Sequence, residues 1–278
     1  MPSGLPPEWA LVVLGGVAAC LGAVGGIGGA TILVPVLLAL DMSPLEAAPL
    51  GLITVAATSL AAATRQLDDG LVHHRLGLTV ESIASVGAVA GALASTVVSQ
   101  QWLARTLGLG ALAGAIATLA RRGVRNLPDS SFTDDSPGEW PGTLGGTYHQ
   151  GGQAIPYQAT RVPLGLAVSL VAGTISGMAG VGGGFLKTPA MSEVMKVPVK
   201  VAAATSTFTM GITAAAGLIV FTGQGRIDFR SGAAVGLGAL VGAMGGALLQ
   251  SRLPARATRV VTGVLLVIVA VVVLGRSR

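Results

Sequence analysis

Eight runs of apolar residues alternate with polar segments along the chain. They are Trp9 to Leu40, Leu45 to Thr64, Leu76 to Val98, Trp102 to Ala120, Val162 to Met195, Val199 to Phe221, Ser231 to Leu249 and Ala257 to Leu274. A helix that crosses a bilayer needs about 20 predominantly apolar residues. The pattern therefore predicts an all-α polytopic membrane protein with about eight hydrophobic segments.

The composition agrees with this pattern. Of the 278 residues, 51% are hydrophobic and only 10% are charged, against about 25% charged in soluble domains. The 17 Lys and Arg residues stand singly or in pairs at the ends of apolar runs, so we expect the lipid bilayer and no nucleic acid as a partner. Cys20, the one cysteine, excludes a Cys-based metal cluster, and we predict no metal and no cofactor.

A polar stretch, Gly123 to Thr160, separates the fourth apolar run from the fifth. It contains four prolines, seven glycines and the acidic residues Asp129, Asp134, Asp135 and Glu139. Such a composition is typical of a linker with little regular structure. We therefore expect a first transmembrane repeat at 1–122, a polar linker at 123–160 and a second transmembrane repeat at 161–278.

The two halves repeat one another in sequence. Gly25 to Pro35 lies over Ala179 to Pro189 at an offset of 154. With one inserted residue, the glycine-rich segment Gly87 to Gly91 lies over Gly242 to Gly246. An internal repeat with a glycine-broken apolar segment at the same place in each half points to the binding site of a transporter.

The glycine-broken segments are too long for one straight crossing. Trp9 to Leu40 has 32 residues, roughly 48 Å as a helix, against a hydrocarbon core of about 30 Å. Each segment either crosses once with an unwound middle or forms a re-entrant hairpin with the glycines at its tip. Two hairpins divide the Lys and Arg residues 12 to 5 between the membrane faces rather than 10 to 7. We favour the hairpins because they give the larger bias. The two halves are then inverted, the linker is cytoplasmic and both termini are external.

The segments that resemble enzyme motifs each lack a required residue or spacing. Gly182 to Thr188 lacks the glycine that a phosphate loop has directly before its lysine, and Phe185 occupies the place of the third glycine in the dinucleotide motif. His73 and His74 are adjacent, whereas a zinc protease needs histidines one helical turn apart. We expect both histidines to lie in a loop between spans, and we expect no enzyme activity.

The two glycine clusters are the strongest candidates for a binding site. Glycines unwind a helix at low steric cost, and their N–H groups, with the positive end of a half-helix beginning at about Ala30, favour an anion. The alternative, glycines that only allow close helix packing, suits isolated pairs better than matched clusters. The predicted substrate-binding glycines are Gly25, Gly26, Gly28, Gly29, Gly180, Gly182, Gly183 and Gly184.

Several side chains also favour a negatively charged ligand. Lys187 lies three residues past the second cluster, and its counterpart in the first half is neutral. It either faces an anion or extends to the membrane edge. Hydroxyls follow at Thr205, Ser206, Thr209 and Thr213, and Thr205 with Ser206 is the best pair; these hydroxyls donate either to an oxyanion or to helix carbonyls. We expect no deep carboxylate, since Glu81 stands near the start of its run, and this disfavours a proton or cation pump.

These motifs resemble those of the sulfite exporter TauE/SafE family of bacterial membrane proteins. The resemblance rests on Gly-x-x-Gly-Val-Gly-Gly-Gly-Phe-Leu-x-x-Pro at Gly177 to Pro189, on its weaker copy at Gly22 to Pro35, and on the Ala-Thr-Ser at Ala204 to Ser206. It covers nearly the whole chain apart from the linker. It implies a multi-pass carrier in the inner (plasma) membrane that exports a small anionic sulfur compound such as sulfite or sulfoacetate.

The resemblance also implies which residues bind the substrate. The family's motif glycines fall on the two clusters, and its Thr-Ser falls on Thr205 and Ser206. The first half departs from the pattern at Ala30, Thr31 and Leu52. The second half is therefore expected to provide the main ligands.

We expect a secondary transporter that holds its anion between the glycine tips and alternates access. Two alternatives belong to other classes: a membrane scaffold or receptor subunit whose partners dock on the linker, and an anion channel. The sequence is compatible with a homo-oligomer and does not define the sulfur compound or the driving force.

Overall fold

The protein is described by a computed structural model for residues 6–120, 138–150 and 153–276. Ten α-helices lie within these ranges. They are α1 (Glu8–Gly25), α2 (Ala30–Ala39), α3 (Pro44–Asp68), α4 (His74–Ala94), α5 (Gln100–Ala120), α6 (Val162–Ala179), α7 (Gly184–Pro189), α8 (Val199–Gly223), α9 (Phe229–Arg252) and α10 (Ala255–Arg276).

The helices confirm the expected class of fold. Among the described residues, seven helices are long and apolar enough to cross a membrane: α1, α3, α4, α6, α8, α9 and α10. Large apolar side chains point outward on these helices, with Leu60 72%, Ile219 73% and Val241 75% exposed. Such surfaces suit a surrounding of lipid rather than water. The chain is a multi-pass membrane protein.

Both glycine clusters lie between two helices. Helix α1 ends at Gly25 and α2 begins at Ala30; α6 ends at Ala179 and α7 begins at Gly184. Gly26 and Gly180, the residues just past α1 and α6, have φ angles of 66° and 73°. This left-handed conformation is the usual end of a helix, and glycine adopts it without a steric penalty.

Helices α1 and α9 pack at backbone contact. Gly242 lies against the backbone of Gly16, and one turn further along Gly246 lies against Cys20. A methyl group on either of these two glycines would overlap a carbonyl oxygen of α1. Small residues at a spacing of four therefore let the two helices approach closely, as in other membrane proteins.

Helices α4 and α6 form a second contact of the same kind. Gly87 lies against the backbone of Leu170, and Gly91 lies against Thr174. In both pairs, one helix precedes the linker and the other follows it. The part of the chain before the linker thus packs directly on the part after it.

The polar linker contains a small β-sheet, so the expectation of little regular structure is wrong for its second part. Strands β1 (Gly138–Glu139), β2 (Gly145–Gln150) and β3 (Gln153–Gln158) form an antiparallel sheet in the order β1-β2-β3. Tyr148 and Tyr157 are buried by this sheet. Composition averages over such alternating apolar positions, which is why it did not reveal the strands. Residues 123–137, including Asp129, Asp134 and Asp135, lie outside the described residues.

The sheet covers the ends of α4 and α8. Its tyrosines join an apolar cluster with residues at these helix ends and around α7. The cluster contains Leu71, Val72, Leu76, Val80, Tyr148, Tyr157, Met191, Met195, Val197, Val201, Ala202 and Ala204. Because α4 precedes the linker and α8 follows it, the sheet holds together elements from both halves of the chain.

His73 joins the sheet to helix α4, so the expectation of two loop histidines is wrong for this residue. Its ring is fully buried; Nδ1 accepts a hydrogen bond from the Leu76 N–H at 3.1 Å, and Nε2 lies 3.1 Å from the Gly145 carbonyl oxygen. Since Nδ1 is an acceptor, we assign the proton to Nε2, which donates to Gly145. His73 therefore caps α4 and fixes strand β2 above it.

Glu139 completes this attachment at the first turn of α4. Its carboxylate accepts hydrogen bonds from the N–H groups of His74 and Arg75 and lies 2.8 Å from Nδ1 of His74. Desolvation is the largest single influence on its pKa and would raise it, but the charge of His73 and these hydrogen bonds together lower the pKa below 4.5. Burial also lowers the pKa of His73 below 6.5, against the opposing charge of Glu139.

A pair of substitutions on α9 tests the glycine contact. Gly242→Ala places a methyl group against the Gly16 carbonyl and should destabilise the protein by about 1–3 kcal/mol. Gly245→Ala, on the same helix with no atom near its added methyl group, should be neutral or stabilising by up to about 1 kcal/mol because alanine favours helix. Thermal unfolding in detergent measures both. Equal losses would contradict the close contact.

Acidification should loosen the sheet from α4. The pKa values of His73 and Glu139 are both lowered in the folded protein, so each contribution is present above the ordinary value and is lost as pH falls. Buried Trp140 should move toward water first below pH 6.5 and further below pH 4.5. Its fluorescence emission, in a Trp9→Phe, Trp102→Phe background, should shift to longer wavelength.

The control for this shift is His73→Asn, which keeps an acceptor for the helix cap. It should remove the step below pH 6.5 and leave the step below pH 4.5. Emission that does not change on acidification would contradict the attachment described here.

Candidate functional site

The two glycine clusters contact one another inside the protein. Thr188 of α7 donates a hydrogen bond to the Gly26 carbonyl at 2.5 Å, and Thr31 of α2 lies 3.3 Å from the Val181 carbonyl. Thr31 also donates to the Ile27 carbonyl at 2.7 Å. Each half-helix therefore holds the cluster of the other half with a threonine hydroxyl.

Neighbouring helices approach the clusters too closely for side chains. Gly26 lies on Ala203 of α8, while Gly180 lies on Ala48 of α3. Gly29 lies on Ala19 of α1, and the carbonyl of Gly25 accepts a hydrogen bond from Thr262 of α10 at 3.1 Å. Packing thus requires several of the predicted glycines, whatever else they bind.

The second cluster presents a run of unpaired backbone donors. Gly180 donates to the Ser176 carbonyl, whereas the next five N–H groups have no acceptor within the described part of the chain. These belong to Val181, Gly182, Gly183, Gly184 and Phe185, all of which are buried. Buried N–H groups are almost always paired, so this run of five, two of them in the first turn of α7, is a candidate place for a ligand or ordered water.

The first cluster has fewer free donors. The N–H groups of Gly26, Ile27 and Gly28 donate to carbonyls at the end of α1, with Ile27 and Gly28 both bonding Gly22. Only Gly29 and Ala30 lack an acceptor among the described residues of this cluster. The two clusters therefore differ in donor capacity although their sequences are similar.

Lys187 is buried beside the second cluster and is paired with Glu81 of α4. Its Nζ lies 2.8 Å from Oε2 and 3.1 Å from Oε1 of Glu81, and both side chains are 1% exposed. The expectation that no carboxylate lies deep in a span is wrong for Glu81. Helix α4 begins at His74, so Glu81 stands two turns inside it. The expected alternatives for Lys187, an anionic ligand or the membrane edge, omitted this partner.

Threonines of α8 complete the surroundings of the Glu81 carboxylate. Thr209 Oγ1 donates to Oε2 at 3.0 Å, and both the N–H (3.0 Å) and the hydroxyl of Thr213 donate to Oε1. From the sequence, these threonines were placed among several hydroxyls, and Glu81 was not identified as their common partner. Their spacing of four, matched with a glutamate elsewhere in the chain, was the available signal.

The ion pair adjoins the free N–H groups. A side chain built on Gly183 would begin 3.3 Å from Cε of Lys187 and 3.4 Å from Cβ of Ser176. The hydroxyl of Ser176 is buried and has no hydrogen-bond partner among the described residues. Unpaired backbone donors, a free hydroxyl and a lysine thus converge around Gly183.

Thr205 and Ser206 point to different neighbours. Thr205 Oγ1 accepts a hydrogen bond from the N–H of His73 at 2.9 Å, next to the linker sheet. Ser206 lies on the α8 face between Ala203 and Met210, which pack on Gly26 and Gly28. The Ser206 hydroxyl is buried and unpaired within the described residues, so it is the better placed of the two for a ligand.

A helical bundle with outward apolar faces and buried, unpaired donors between broken helices is the architecture of a membrane transporter. The chain belongs to the sulfite exporter TauE/SafE family, whose model matches residues 11–273. It is 24% identical, over 93% of its length and 94% of the relative's, to a probable membrane transporter protein, YunE, of Bacillus subtilis (strain 168). No solved structure matches the chain.

Removing one member of the buried ion pair should be costly. Lys187→Met leaves the Glu81 carboxylate charged and unpaired, and we expect a loss of about 3–5 kcal/mol in stability. Lys187→Met combined with Glu81→Gln removes both charges and should lose clearly less. Unfolding in detergent by heat or urea measures both variants.

Lys196→Met provides the matched control. Lys196 is partly exposed, and its ammonium donates to the nearby Glu193 carbonyl, so its replacement should cost less than about 1 kcal/mol. If Lys187→Met is no worse than this control, the pair is not buried as described.

Proposed function

We propose that the protein is a secondary transporter that exports small sulfur oxyanions or organosulfonates, such as sulfite or sulfoacetate, across the inner membrane by alternating access. The observation that carries this proposal is the run of five buried, unpaired N–H groups from Val181 to Phe185. Membership of a sulfite exporter family supports the class of substrate.

The arrangement of donors favours an anion. Backbone N–H groups carry partial positive charge and cannot accept a proton, so a consecutive run of them binds oxyanions in many proteins. A sulfonate or sulfite group offers three acceptor oxygens. The hydroxyls of Ser176 and Ser206 and the ammonium of Lys187 would add donors at the edge of the site. The same groups offer little to a cation.

The direction of packed helices supports the re-entrant form of the broken segments. Contacts of Gly16 with Gly242 and of Cys20 with Gly246 make α1 parallel to α9. Ile53 contacts Gly232, and Gln66 donates to Gln250, which makes α3 parallel to α9 too. Since α1 and α3 then run the same way, α2 between them must run back. This direction supports a hairpin over a single broken crossing.

The same reasoning supports inverted repeats at 1–122 and 161–278. Gly173 packs on Ala84 and Gly177 on Ala88, so α6 is parallel to α4. Helices α3 and α4 are joined by a short turn and run in opposite directions. Helix α6 is therefore opposed to α1, its counterpart in the repeat. Halves opposed in this way around one site are the usual basis of alternating access.

Flux into proteoliposomes tests the substrate class. Sulfite, sulfoacetate, taurine and sulfate are offered in competition, with and without a pH gradient. We expect saturable uptake of sulfite or sulfoacetate at rates far below those of a channel. Unsaturable, fast flux would favour the channel, and no flux of any sulfur compound would contradict the proposal.

Gly183→Val tests the site itself. The φ angle of Gly183 is 70°, which a β-branched residue rarely adopts, and the new side chain would fill the space beside Lys187 and Ser176. We expect flux to fall to the background of empty liposomes while membrane expression is largely kept. Gly225→Val is the matched control, since Gly225 has a φ of 68° and open space around it. Wild-type flux in Gly183→Val would remove Gly183 from the site.

A further inference from the structure

We propose that Glu81 is a proton-binding site that couples proton movement to anion movement, by competing with the anion for Lys187. This inference rests on the proposed function. It follows from three structural observations. The Glu81 carboxylate is buried, its charged partner is Lys187, and Lys187 borders the N–H groups around Gly183 that have no acceptor among the described residues.

The surroundings of Glu81 contain one positive and one negative charge. Helix α7 contributes Lys187, helix α8 contributes the uncharged Thr209 and Thr213, and helix α6 packs on α4 through Gly173 and Gly177. The next titratable groups on its own helix are Arg75 and His74, which are exposed near its start, and His74 is bonded to Glu139. Within the described residues, the charge balance at the site therefore depends on Lys187 and Glu81 alone.

An anion that enters the site disturbs this balance. With Glu81 ionised, the arriving anion becomes a second negative charge near a single ammonium in a buried region, where an unbalanced charge is strongly disfavoured. A proton that arrives from the aqueous phase and binds a carboxylate oxygen of Glu81 restores neutrality. The salt bridge to Lys187 is then released, and the ammonium is free to face the anion.

The threonines make both forms of Glu81 tolerable. The ionised carboxylate accepts from the N–H and hydroxyl of Thr213 and from the hydroxyl of Thr209. After protonation, the new O–H can donate to a threonine oxygen, because a hydroxyl both donates and accepts. The backbone donor of Thr213 keeps its acceptor throughout. The acid therefore gains and loses a proton without leaving a buried polar group unpaired.

The sign of coupling follows from the charge balance. The neutral states are the empty site with its salt bridge and the site loaded with one anion and one proton. Because these states cross a membrane more readily than charged ones, proton and anion should move in the same direction. For a monovalent anion, transport should then be electrically neutral, and the empty carrier should not leak protons.

The experiment uses the full chain in proteoliposomes with methanesulfonate, a monovalent sulfonate that has no proton of its own to release near neutral pH. A pH-sensitive dye inside reports protons, and a potassium gradient with valinomycin sets the voltage. For the wild type we expect one proton to enter with each anion, and uptake that does not respond to voltage.

Glu81→Gln imitates the protonated acid and should take up methanesulfonate without protons, in a voltage-dependent manner. Glu46→Gln is the control: Glu46 is exposed, and glutamine also serves its capping box with Ser43, so coupling should match the wild type. If Glu81→Gln fails to insert, the double variant Glu81→Gln, Lys187→Gln, which leaves no unpaired charge, should likewise move the anion without protons and more weakly.

The outcomes separate this inference from the proposed function. Wild-type anion uptake without proton entry, or proton entry retained in Glu81→Gln or in the double variant, overturns the role of Glu81 and leaves the transporter intact. A salt bridge with a purely structural role gives this result. Absence of any methanesulfonate, sulfite or sulfoacetate uptake by the wild type overturns both.

Discussion

A backbone N–H group inside a membrane protein has no water to bond, and satisfying such groups constrains the whole interior of this one. Helices satisfy most of them internally, so every break in a helix creates donors and acceptors that need partners. At the first glycine cluster, the carbonyls of Gly22 and Ala23 accept hydrogen bonds from three of the donors. At the second, five donors in a row stay open beside Lys187. The difference between two similar sequences is thus a difference in how the broken backbone is completed, and it supports the second half as the proposed place for a ligand.

The same constraint governs the side chains. Most buried threonines return their hydroxyl to a carbonyl one turn back, as Thr54, Thr58 and Thr207 do. Thr213 instead directs its hydroxyl to the Glu81 carboxylate, and the Thr209 hydroxyl lies 3.0 Å from both that carboxylate and the Thr205 carbonyl. A buried ion pair is seldom a source of net stability, because desolvation offsets attraction. Its presence inside the helix bundle therefore fits a role for its charges in function better than a role in holding the helices together.

The sequence allowed the multi-pass helical fold to be predicted, since repeated apolar runs of membrane length are rare in water-soluble proteins. It also located the glycine clusters, because glycine permits left-handed backbone and close helix contact, and both are local effects. It failed where a property depends on contacts between distant segments. From the sequence, Glu81 was placed near the start of a span because its apolar run begins at Leu76. The residues around Glu81 do not indicate that it contacts Lys187 or the α8 threonines. The strands around Tyr148 and Tyr157 were missed within a polar composition, and His73 was missed as a cap because its acceptor role depends on the sheet above it.

The backbone contacts of α1 with α9 and of α4 with α6 have a consequence for biosynthesis. While the chain is being made, α4 precedes α6, so its glycine-lined face at Gly87 and Gly91 lacks the helix that covers it in the folded protein. Helix α1 waits still longer, until α9 has been made. Neither half can complete its own core, and the final packing must be assembled after most of the chain has been inserted. A protein built from two similar halves therefore folds as a single unit.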